Sequence, residues 1–581
     1  MHSPTYHQSC VQFSTSLLLR FFSNRFPQWC ESFAMNIYRH LNFLICVSQL
    51  VNCIILETKQ GSLKGETLLS RGGRPYHAFY SVPYAEPPVG ELRFQSPVPP
   101  STWQGVRDAT VLPPPCMSVT DDGMMDGEED CLYLNVYTSK IGNNTLLPVM
   151  VFIFGGRLMY GHALPSRYGP QYFMDEDIVL ITFHYRLGVL GFLSTEDEVI
   201  PGNYGLKDSI AVLQWVQNYV DSYGGDKSRV TLFGGSSGGM SASFALISPL
   251  SKGLVHRVIS QSGFLLDVVN PGKATQTAWK FASFVGCNNE KITTSEALLT
   301  CLKERPAEEL VKNNINFYEF GRLTPLFPWC PVIESEKVPG AFLVDDPRKL
   351  LRRKIDVPWI VGINSDEGGM LAIYTYFTPG LSVNDELAKN YKKYFPMVFG
   401  YEQLAQSPEQ VDKLTEIYKN YYFGDTEIRD NVHAFSKMCT GLFYLPAIKE
   451  IAKLYQGPTY VYYYDHRNKE TFGPMYAKYD EDMGVIHGDE LISMYNWSEV
   501  IKPVTEGIDL VVSKQVLKLW TNFAAAGDPN NDAEQIWRPV DSPDINYLHI
   551  KGGVLETKEA LLKSEYEFLE SVPLKLSKDE L

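Results

Sequence analysis

The hydrophobic pattern of the central part of the chain predicts three short strands, each followed by a glycine-containing loop. The predicted strands cover residues 149–153, 229–233 and 358–363. After the second strand and its loop, the small and apolar residues 240–247 predict a helix. A strand, a tight turn and a helix in this order form the local unit in which an α/β protein can display a reactive side chain.

The loop between the second strand and the helix has the sequence GGSSGG over residues 234–239, and it contains the pattern G-x-S-x-G. Such a turn forces a serine into a strained backbone conformation, and neighbours without a Cβ let strand and helix pass close together. The serine hydroxyl then lies at a helix N-terminus, where the dipole favours developing negative charge. A Walker phosphate-binding loop is excluded because no lysine follows in register. The pattern therefore indicates a nucleophilic serine.

A nucleophilic serine needs a base and an acid that orients the base, and in α/β-hydrolases the acid and then the histidine follow the serine along the chain. The third predicted strand leads directly into Asp366 and Glu367, and residue type and position do not choose between these two carboxylates. His487 is favoured as the base because a glycine follows it directly and another precedes it by three residues. The downstream histidines are His433, His466, His487 and His549.

Composition places the chain among folded acidic proteins. Of 581 residues, 44% are hydrophobic and 20% are charged, which excludes a disordered chain. The formal net charge of −15 makes nucleic acid an unsuitable partner, since phosphate binding needs a basic face.

The two ends of the chain predict the compartment. An apolar run at residues 41–51 has the length of a secretory signal core, so we predict a signal region over residues 1–53, cleavage after Cys53 and a true start at Met35. Residues 1–34 are also compatible with a mitochondrial presequence. The last four residues, KDEL at 578–581, are the address read by the KDEL receptor. With no apolar run of 18 residues after position 53, we expect no membrane span and a location in the lumen of the endoplasmic reticulum.

Cysteines and sequons agree with an oxidising lumen. Short-range pairs around polar loops are favoured among the six cysteines beyond the signal region. Cys330 and Cys439 are predicted to be buried free thiols, with a long-range bridge between them as the alternative. Glycosylation is predicted at Asn143 and Asn496. The short-range candidates are Cys116 with Cys131 and Cys287 with Cys301.

At this point the sequence resembles the type-B carboxylesterase/cholinesterase family over about residues 55–540. The segments that carry the resemblance occur in the family's order. They are FYSVPYAEPPVGELRF at 79–94, EDCLYLNV at 129–136, YRLG at 185–188, GNYGLKD at 202–208, GGD at 224–226, WTNF at 520–523 and GDP at 527–529.

The resemblance implies one α/β-hydrolase domain over residues 54–560, with a large, mostly parallel central sheet flanked by helices and a tail over 561–581. It implies an ester hydrolase that acts on a small-molecule ester and needs no metal or cofactor. It assigns Ser236 as nucleophile, Glu367 as acid and His487 as base. It implies the same two disulfides and two structural ion pairs, Arg93 with Glu129 and Arg186 with Asp208.

Three positions depart from the family pattern. Arg157 replaces the third glycine of the oxyanion-hole segment, whose donors would be the backbone N–H groups of Gly156, Arg157 and Ser237. Gly235 replaces the glutamate that commonly precedes the serine, and the segment 117–130 lacks the tryptophan with which cholinesterases hold choline. The last two departures argue against a cholinesterase.

The first departure leaves two hypotheses open. Arg157 either points away from the hole or favours acidic substrates, which gives a carboxylesterase for lipophilic or xenobiotic esters. Alternatively it blocks the hole, which gives a weak or inactive binding or scavenging member of the family. A lumenal lipase or amide hydrolase would use the same three residues and differ only in its pocket.

Overall fold

A thirteen-stranded sheet forms the centre of the computed structural model, which describes residues 53–573 except 121–122, 143–145, 266–268, 270–271, 322, 381, 480, 531–534 and 543. From Ile55 onward the described residues pack as one unit. The described strands are β1 (Cys53–Glu57), β2 (Ser62–Leu69), β3 (Pro75–Pro83), β4 (Val106–Asp108), β5 (Ser118–Val119), β6 (Met125–Asp126), β7 (Tyr133–Thr138), β8 (Leu147–Ile153), β9 (Val179–Phe183), β10 (Gly225–Gly235), β11 (Arg257–Gln261), β12 (Trp359–Asn364), β13 (Thr459–Tyr464), β14 (Tyr547–Lys551) and β15 (Val554–Lys558).

The middle of this sheet is parallel. Its strands follow the order β1-β2-β3-β7-β9-β8-β10-β11-β12-β13-β14-β15, with β4 on β2, while β5 and β6 pair separately. All neighbours from β9 to β14 pair in parallel, and the strands flanking this block pair antiparallel. Two of the strands predicted from the hydrophobic pattern are parts of β8 and β10, and the third overlaps β12 except for one residue at each end. Because they are parallel, their C-terminal ends share one edge of the sheet.

Helices cover the sheet and build the outer layers. In β8, every residue is buried, as the parallel core of an α/β protein requires. The described helices are α1 (Gly188–Phe192), α2 (Tyr204–Tyr219), α3 (Ser237–Ile247), α4 (Lys273–Phe284), α5 (Ser295–Lys303), α6 (Ala307–Lys312), α7 (Pro347–Leu351), α8 (Gly369–Tyr376), α9 (Asn384–Lys389), α10 (Tyr391–Phe399), α11 (Pro408–Phe423), α12 (Val432–Phe443), α13 (Leu445–Leu454), α14 (Gly473–Tyr476), α15 (Gly507–Ala526) and α16 (Lys563–Ser571).

Glycines allow α3 to lie directly on the strands beneath it. A Cβ built on Gly238 would overlap the carbonyl oxygen of Ile153, the last residue of β8. A Cβ on Gly239 would lie 2.9 Å from both the amide nitrogen and the carbonyl oxygen of Gln261, the last residue of β11. Only residues without a side chain fit at these two positions, so the helix N-terminus is fixed between the ends of two strands.

Two disulfides and two ion pairs occur where the resemblance implies them. Cys116 bonds to Cys131 and Cys287 bonds to Cys301. In each ion pair, the arginine guanidinium donates two hydrogen bonds to the two carboxylate oxygens, and the shortest N···O distance is 2.6 Å. These pairs are Arg93 with Glu129 and Arg186 with Asp208.

The prediction of two buried free thiols is confirmed for Cys439, whereas for Cys330 the free thiol is confirmed and its burial is wrong. Both cysteines are free, but only Cys439 is buried, inside α12. Cys330 is half-buried because its segment, rich in proline and aromatic residues, contains no regular secondary structure that would enclose the thiol.

Residues 1–52 of the predicted signal region, with Met35, and the terminal KDEL lie outside the described residues, and so does the sequon at Asn143. Cys53, the last residue of the predicted signal region, is the first residue of β1. Asn496 is half-buried, and its backbone pairs with Gly169. The predicted tail begins with α16, whose Tyr566 hydroxyl donates to the carbonyl of Leu445 at 3.1 Å. No helix in the described ranges is long and apolar enough to cross a membrane.

Candidate active site

Ser236 lies at the turn between β10 and α3 in a strained conformation, with φ 59° and ψ −131°. Its N–H donates to the carbonyl of Gln261 at 2.7 Å, and its own carbonyl accepts from Met240 N–H at 3.0 Å. A Cβ on Gly263 would overlap the Ser236 carbonyl oxygen, so the neighbouring chain passes directly against this turn. The backbone on both sides therefore holds the serine in the conformation that a nucleophile elbow requires.

Glu367 follows β12 by three residues, and its side chain is fully buried, with 0% exposure. One carboxylate oxygen accepts a hydrogen bond from the Asn364 N–H at 2.8 Å and another from the Ser262 hydroxyl. The other oxygen lies 2.6 Å from Nδ1 of His487, which is 7% exposed. These contacts satisfy both oxygens of a buried charge and direct one of them at the imidazole.

The neighbouring carboxylate, Asp366, does not contact the histidine. Its backbone pairs with the segment before His487, where Asp366 N–H donates to Val485 O at 3.0 Å. One of its side-chain oxygens accepts from the Val485 N–H at 3.1 Å and from the Ser365 hydroxyl at 2.6 Å. Asp366 thus anchors the loop that carries His487, and Glu367 alone of the pair faces the ring.

Each of the four candidate histidines contacts a carboxylate, so this contact by itself does not identify a base. His433 meets Glu481, His466 meets Asp509 and His549 meets Asp465, each at 3.0 Å. His487 differs because its carboxylate follows β12, and the strand next to β12, β11, ends beside Ser236. Position in the sheet, rather than pairing, selects His487.

Ser236 and the His487 loop lie at the same edge of the sheet. A Cβ built on Gly235 would lie 3.1 Å from Leu491, which belongs to the short helical turn Asp489–Ser493 after His487. Within the described contacts, the Ser236 hydroxyl makes no hydrogen bond to His487. This contact is often long in hydrolases before substrate binds.

The environment of His487 favours its protonated form. Burial lowers the pKa of the imidazole, but the charge and hydrogen bond of Glu367 and the charges of Glu490 and Asp489 outweigh burial and raise it. Burial also raises the pKa of Glu490, to about 7, and that of Asp489, to about 6. The carboxylates next to the base are therefore its main source of stabilisation when it carries a proton.

Glu490 links the strands that carry the site. One of its oxygens accepts from Nε2 of Gln261 at 3.2 Å, and the other accepts from Nδ2 of Asn364 at 2.6 Å. The backbone carbonyl of Gln261 also accepts a hydrogen bond from the Ser236 N–H, and the backbone N–H of Asn364 also donates to Glu367. Sequence reasoning missed Glu490 and Ser262; their positions directly after the His-Gly-Asp motif and after β11 are the signals that could have indicated them.

The segment after β8 lies against the serine, as an oxyanion hole requires. A Cβ on Gly155 would lie 2.8 Å from the Ser236 Cβ and 3.5 Å from its Oγ. Gly156 has φ 128°, and a Cβ there would overlap the Tyr160 carbonyl oxygen. The N–H of Ser237 begins α3 and therefore has no partner within the helix. The backbone here can present donors towards an oxygen bound beside Ser236.

Arg157 occupies this segment with φ 56°, a conformation that favours the glycine which the family usually has. Its side chain is 8% exposed, and its guanidinium lies 5.5 Å from the ring centre of Tyr160 and 5.7 Å from that of Tyr318. The Arg157 side chain is therefore packed against two tyrosine rings. Its backbone N–H belongs to the segment that follows β8.

Within the described residues, no cluster of three or more histidine, cysteine or acidic side chains could hold a metal ion. An arrangement of serine, histidine, carboxylate and backbone donors of this kind can support acyl transfer.

Comparison with known proteins identifies the family to which this fold belongs. The model of the Carboxylesterase family matches residues 52–569, and the chain belongs to this family of carboxylic ester hydrolases. This confirms the resemblance drawn from the sequence segments and the α/β-hydrolase fold that it implies.

Similar proteins include esterases of insects and a vertebrate. Juvenile hormone esterase from Tribolium castaneum is 34% identical over 531 residues, covering 86% of this chain and 89% of that protein. Liver carboxylesterase from Sus scrofa is 33% identical over 542 residues, covering 88% and 91%. The crystal structure of juvenile hormone esterase from Manduca sexta with OTFP covalently attached has a TM-score of 0.79 at 25% identity, covering 90% of this chain and 99% of that one.

Proposed function

We propose that this protein is a serine carboxylesterase in which Ser236 forms the acyl-enzyme, His487 is the base and Glu367 orients the base. The observation that carries the proposal is the buried Glu367–His487 pair at the sheet edge where Ser236 occupies its strained turn. Membership of the carboxylesterase family supports the same chemistry.

In the first half of the reaction, Ser236 attacks the ester carbonyl while Nε2 of His487 takes the hydroxyl proton. The carbonyl oxygen becomes negatively charged and accepts hydrogen bonds from the N–H groups of Gly156, Arg157 and Ser237. Glu367 holds the proton on Nδ1, which keeps the Nε2 lone pair available, and stabilises the imidazolium that forms. His487 then protonates the leaving alcohol, and the acyl group stays on Ser236.

In the second half, water replaces the alcohol. His487 takes a proton from the water as it attacks the acyl-enzyme, and then returns the proton to the serine oxygen as the acid leaves. Every proton is transferred through the single imidazole, so the cycle requires no metal and no cofactor.

We assign lipophilic or xenobiotic esters, rather than choline esters, as the substrate class. A Cβ built on Gly235 would lie 3.1 Å from the Leu491 side chain, so the surface beside the nucleophile is apolar and uncharged at this point. The segment 117–130 offers no tryptophan for a quaternary ammonium group. The names of similar proteins, including a juvenile hormone esterase and a medium-chain fatty acyl-CoA hydrolase precursor, agree with lipophilic substrates.

Hydrolysis of p-nitrophenyl butyrate by the full chain, expressed through a eukaryotic secretory pathway, tests the proposal together with labelling by a fluorophosphonate. We expect turnover and labelling of the peptide that contains Ser236. Arg157→Gly is measured beside the wild type, and a change in kcat/KM of less than about tenfold is expected, since a backbone donor survives the substitution. Absence of turnover and labelling in wild type, with both appearing in Arg157→Gly, would instead establish the blocked, binding member of the family.

We further propose that the protein is retained in the lumen of the endoplasmic reticulum by Lys578–Leu581, acting through the KDEL receptor. Deletion of these four residues is expected to move most of the enzyme into the medium of expressing cells, as measured by esterase activity and immunoblot. Two alanines appended after Leu581 are expected to do the same, because the receptor reads the chain terminus. Retention of both variants would refute this assignment. Glycosidase treatment of the same samples tests whether Asn143 and Asn496 carry glycans.

A further inference from the structure

A buried tyrosine hydroxyl lies beside the candidate base. Tyr444 connects α12 to α13, and its hydroxyl oxygen lies 3.1 Å from Nδ1 of His487. The two ring centres are 5.8 Å apart. Nδ1 is the same atom that contacts Glu367 at 2.6 Å, so two oxygen atoms approach the nitrogen whose proton must stay in place during the reaction.

The helix that precedes Tyr444 is fixed against the loop of Glu367. The Gly368 N–H donates to the Thr440 hydroxyl at 2.9 Å. A Cβ on Gly368 would overlap the Ser436 carbonyl oxygen and lie 2.6 Å from the Cβ of Cys439. The contact between α12 and the loop therefore leaves no room for a side chain, and it sets the position of Tyr444 relative to Glu367.

Donor and acceptor rules decide what the hydroxyl can do. An ionised Glu367 only accepts hydrogen bonds, so Nδ1 must carry the proton that points at it. The Tyr444 oxygen consequently acts as the second acceptor of the same N–H. The only hydrogen bond of this hydroxyl among the described residues is the one to His487.

Tyr444 brings an uncharged hydroxyl to the base, whereas the other groups that face the base are carboxyl groups. The groups facing His487 are Glu367 from the loop after β12, Asp489 and Glu490 from its own loop, and Tyr444 from the α12–α13 junction. Burial, and to a smaller extent the charge of Glu367, raises the pKa of Tyr444 well above its ordinary value, so the hydroxyl keeps its proton across the working range.

We propose that Tyr444 is a positioning residue of the esterase: its hydroxyl oxygen shares the Nδ1 proton of His487 with Glu367, fixes the plane of the imidazole and stabilises the imidazolium. The inference rests on the proposed function of Ser236, Glu367 and His487. A second acceptor on Nδ1 resists rotation of the ring about the Cβ–Cγ bond, which would carry Nε2 away from Ser236. It also places a negative dipole end next to the positive charge that forms when the serine attacks.

Tyr444→Phe tests this inference, because it removes one oxygen atom and keeps the ring. Tyr495→Phe is the matched control, since Tyr495 is also buried and its hydroxyl has no partner among the described residues. Fluorophosphonate titration of active sites in each preparation makes kcat independent of the folded fraction. For Tyr444→Phe we expect kcat to fall about 3- to 10-fold with KM within about twofold, as loss of one hydrogen bond predicts.

The pH profile separates positioning from a merely structural role. Loss of an acceptor for the imidazolium lowers the pKa of His487, so the acid limb of kcat/KM should move down by about half a pH unit in Tyr444→Phe and stay in place in Tyr495→Phe. An unchanged kcat and acid limb in Tyr444→Phe would overturn the inference while leaving the esterase intact. A wild type without turnover or labelling would instead overturn the proposed function itself.

Discussion

Replacing Ser236 with alanine is expected to lower kcat for p-nitrophenyl butyrate by about 10³- to 10⁶-fold and to abolish covalent labelling by a fluorophosphonate. The oxygen that forms the acyl-enzyme is then missing, and the imidazole and the backbone donors alone provide only a small acceleration. Substrate binding should change little, because the alanine removes one atom from a turn held by its backbone. Initial rates over a range of ester concentrations measure both effects.

Ser243→Ala provides the matched control, because it removes a buried hydroxyl from α3, the helix that follows Ser236. The Ser243 hydroxyl donates to the Met240 carbonyl at 2.7 Å, and among the described hydrogen bonds it makes none to Ser236, Glu367 or His487. We expect this variant to keep activity within about threefold of wild type. Activity of Ser236→Ala close to that of wild type would contradict the assignment of the nucleophile.

Local sequence pattern was sufficient to predict the elements around the nucleophile. The predicted strand over 229–233 is the C-terminal part of β10, and the predicted helix over 240–247 is all but the first turn of α3. The reason is steric and local: glycines are required where α3 begins against Ile153 and Gln261, and their arrangement is visible in the sequence. The third predicted strand differs from β12 by one residue at each end.

The choice between Asp366 and Glu367 needed three-dimensional information. Both follow the same strand, and both are satisfied by hydrogen bonds, yet the loop turns one towards Val485 and the other towards His487. The histidines pose the same difficulty, since His433, His466 and His549 also meet carboxylates. The family resemblance selected Glu367 and His487, which the structure places in contact, whereas residue type and spacing left the choice open.

Residues that support the site from distant segments carried no sequence signal of their own. Tyr444 lies 43 residues before His487, and nothing in its neighbourhood marks it as different from a core tyrosine. The side chains of Gln261 and Asn364 bind Glu490 only because two neighbouring parallel strands, β11 and β12, end side by side. Such contacts depend on the packing of helices and strand ends, which a hydrophobic pattern does not encode.

Replacing Glu367 with glutamine is expected to lower kcat by about 10²- to 10⁴-fold while leaving KM nearly unchanged. Glutamine removes the charge that stabilises the imidazolium, and its amide can donate to Nδ1. That donation favours the tautomer with the proton on Nε2, which cannot accept the serine proton. The variant keeps the volume of the buried side chain, so the loss is expected in catalysis rather than in folding.

The pH profile of Glu367→Gln should show the direction of this electrostatic effect. Glu367 raises the pKa of His487, and activity requires the neutral imidazole, so removal of the charge should move the acid limb of kcat/KM to lower pH. Asp366→Asn is the matched control: its carboxylate meets Val485 and Ser365 rather than the ring, and we expect less than about a tenfold loss with the acid limb in place. The opposite outcome, a large loss in Asp366→Asn and a small one in Glu367→Gln, would assign the acid to Asp366.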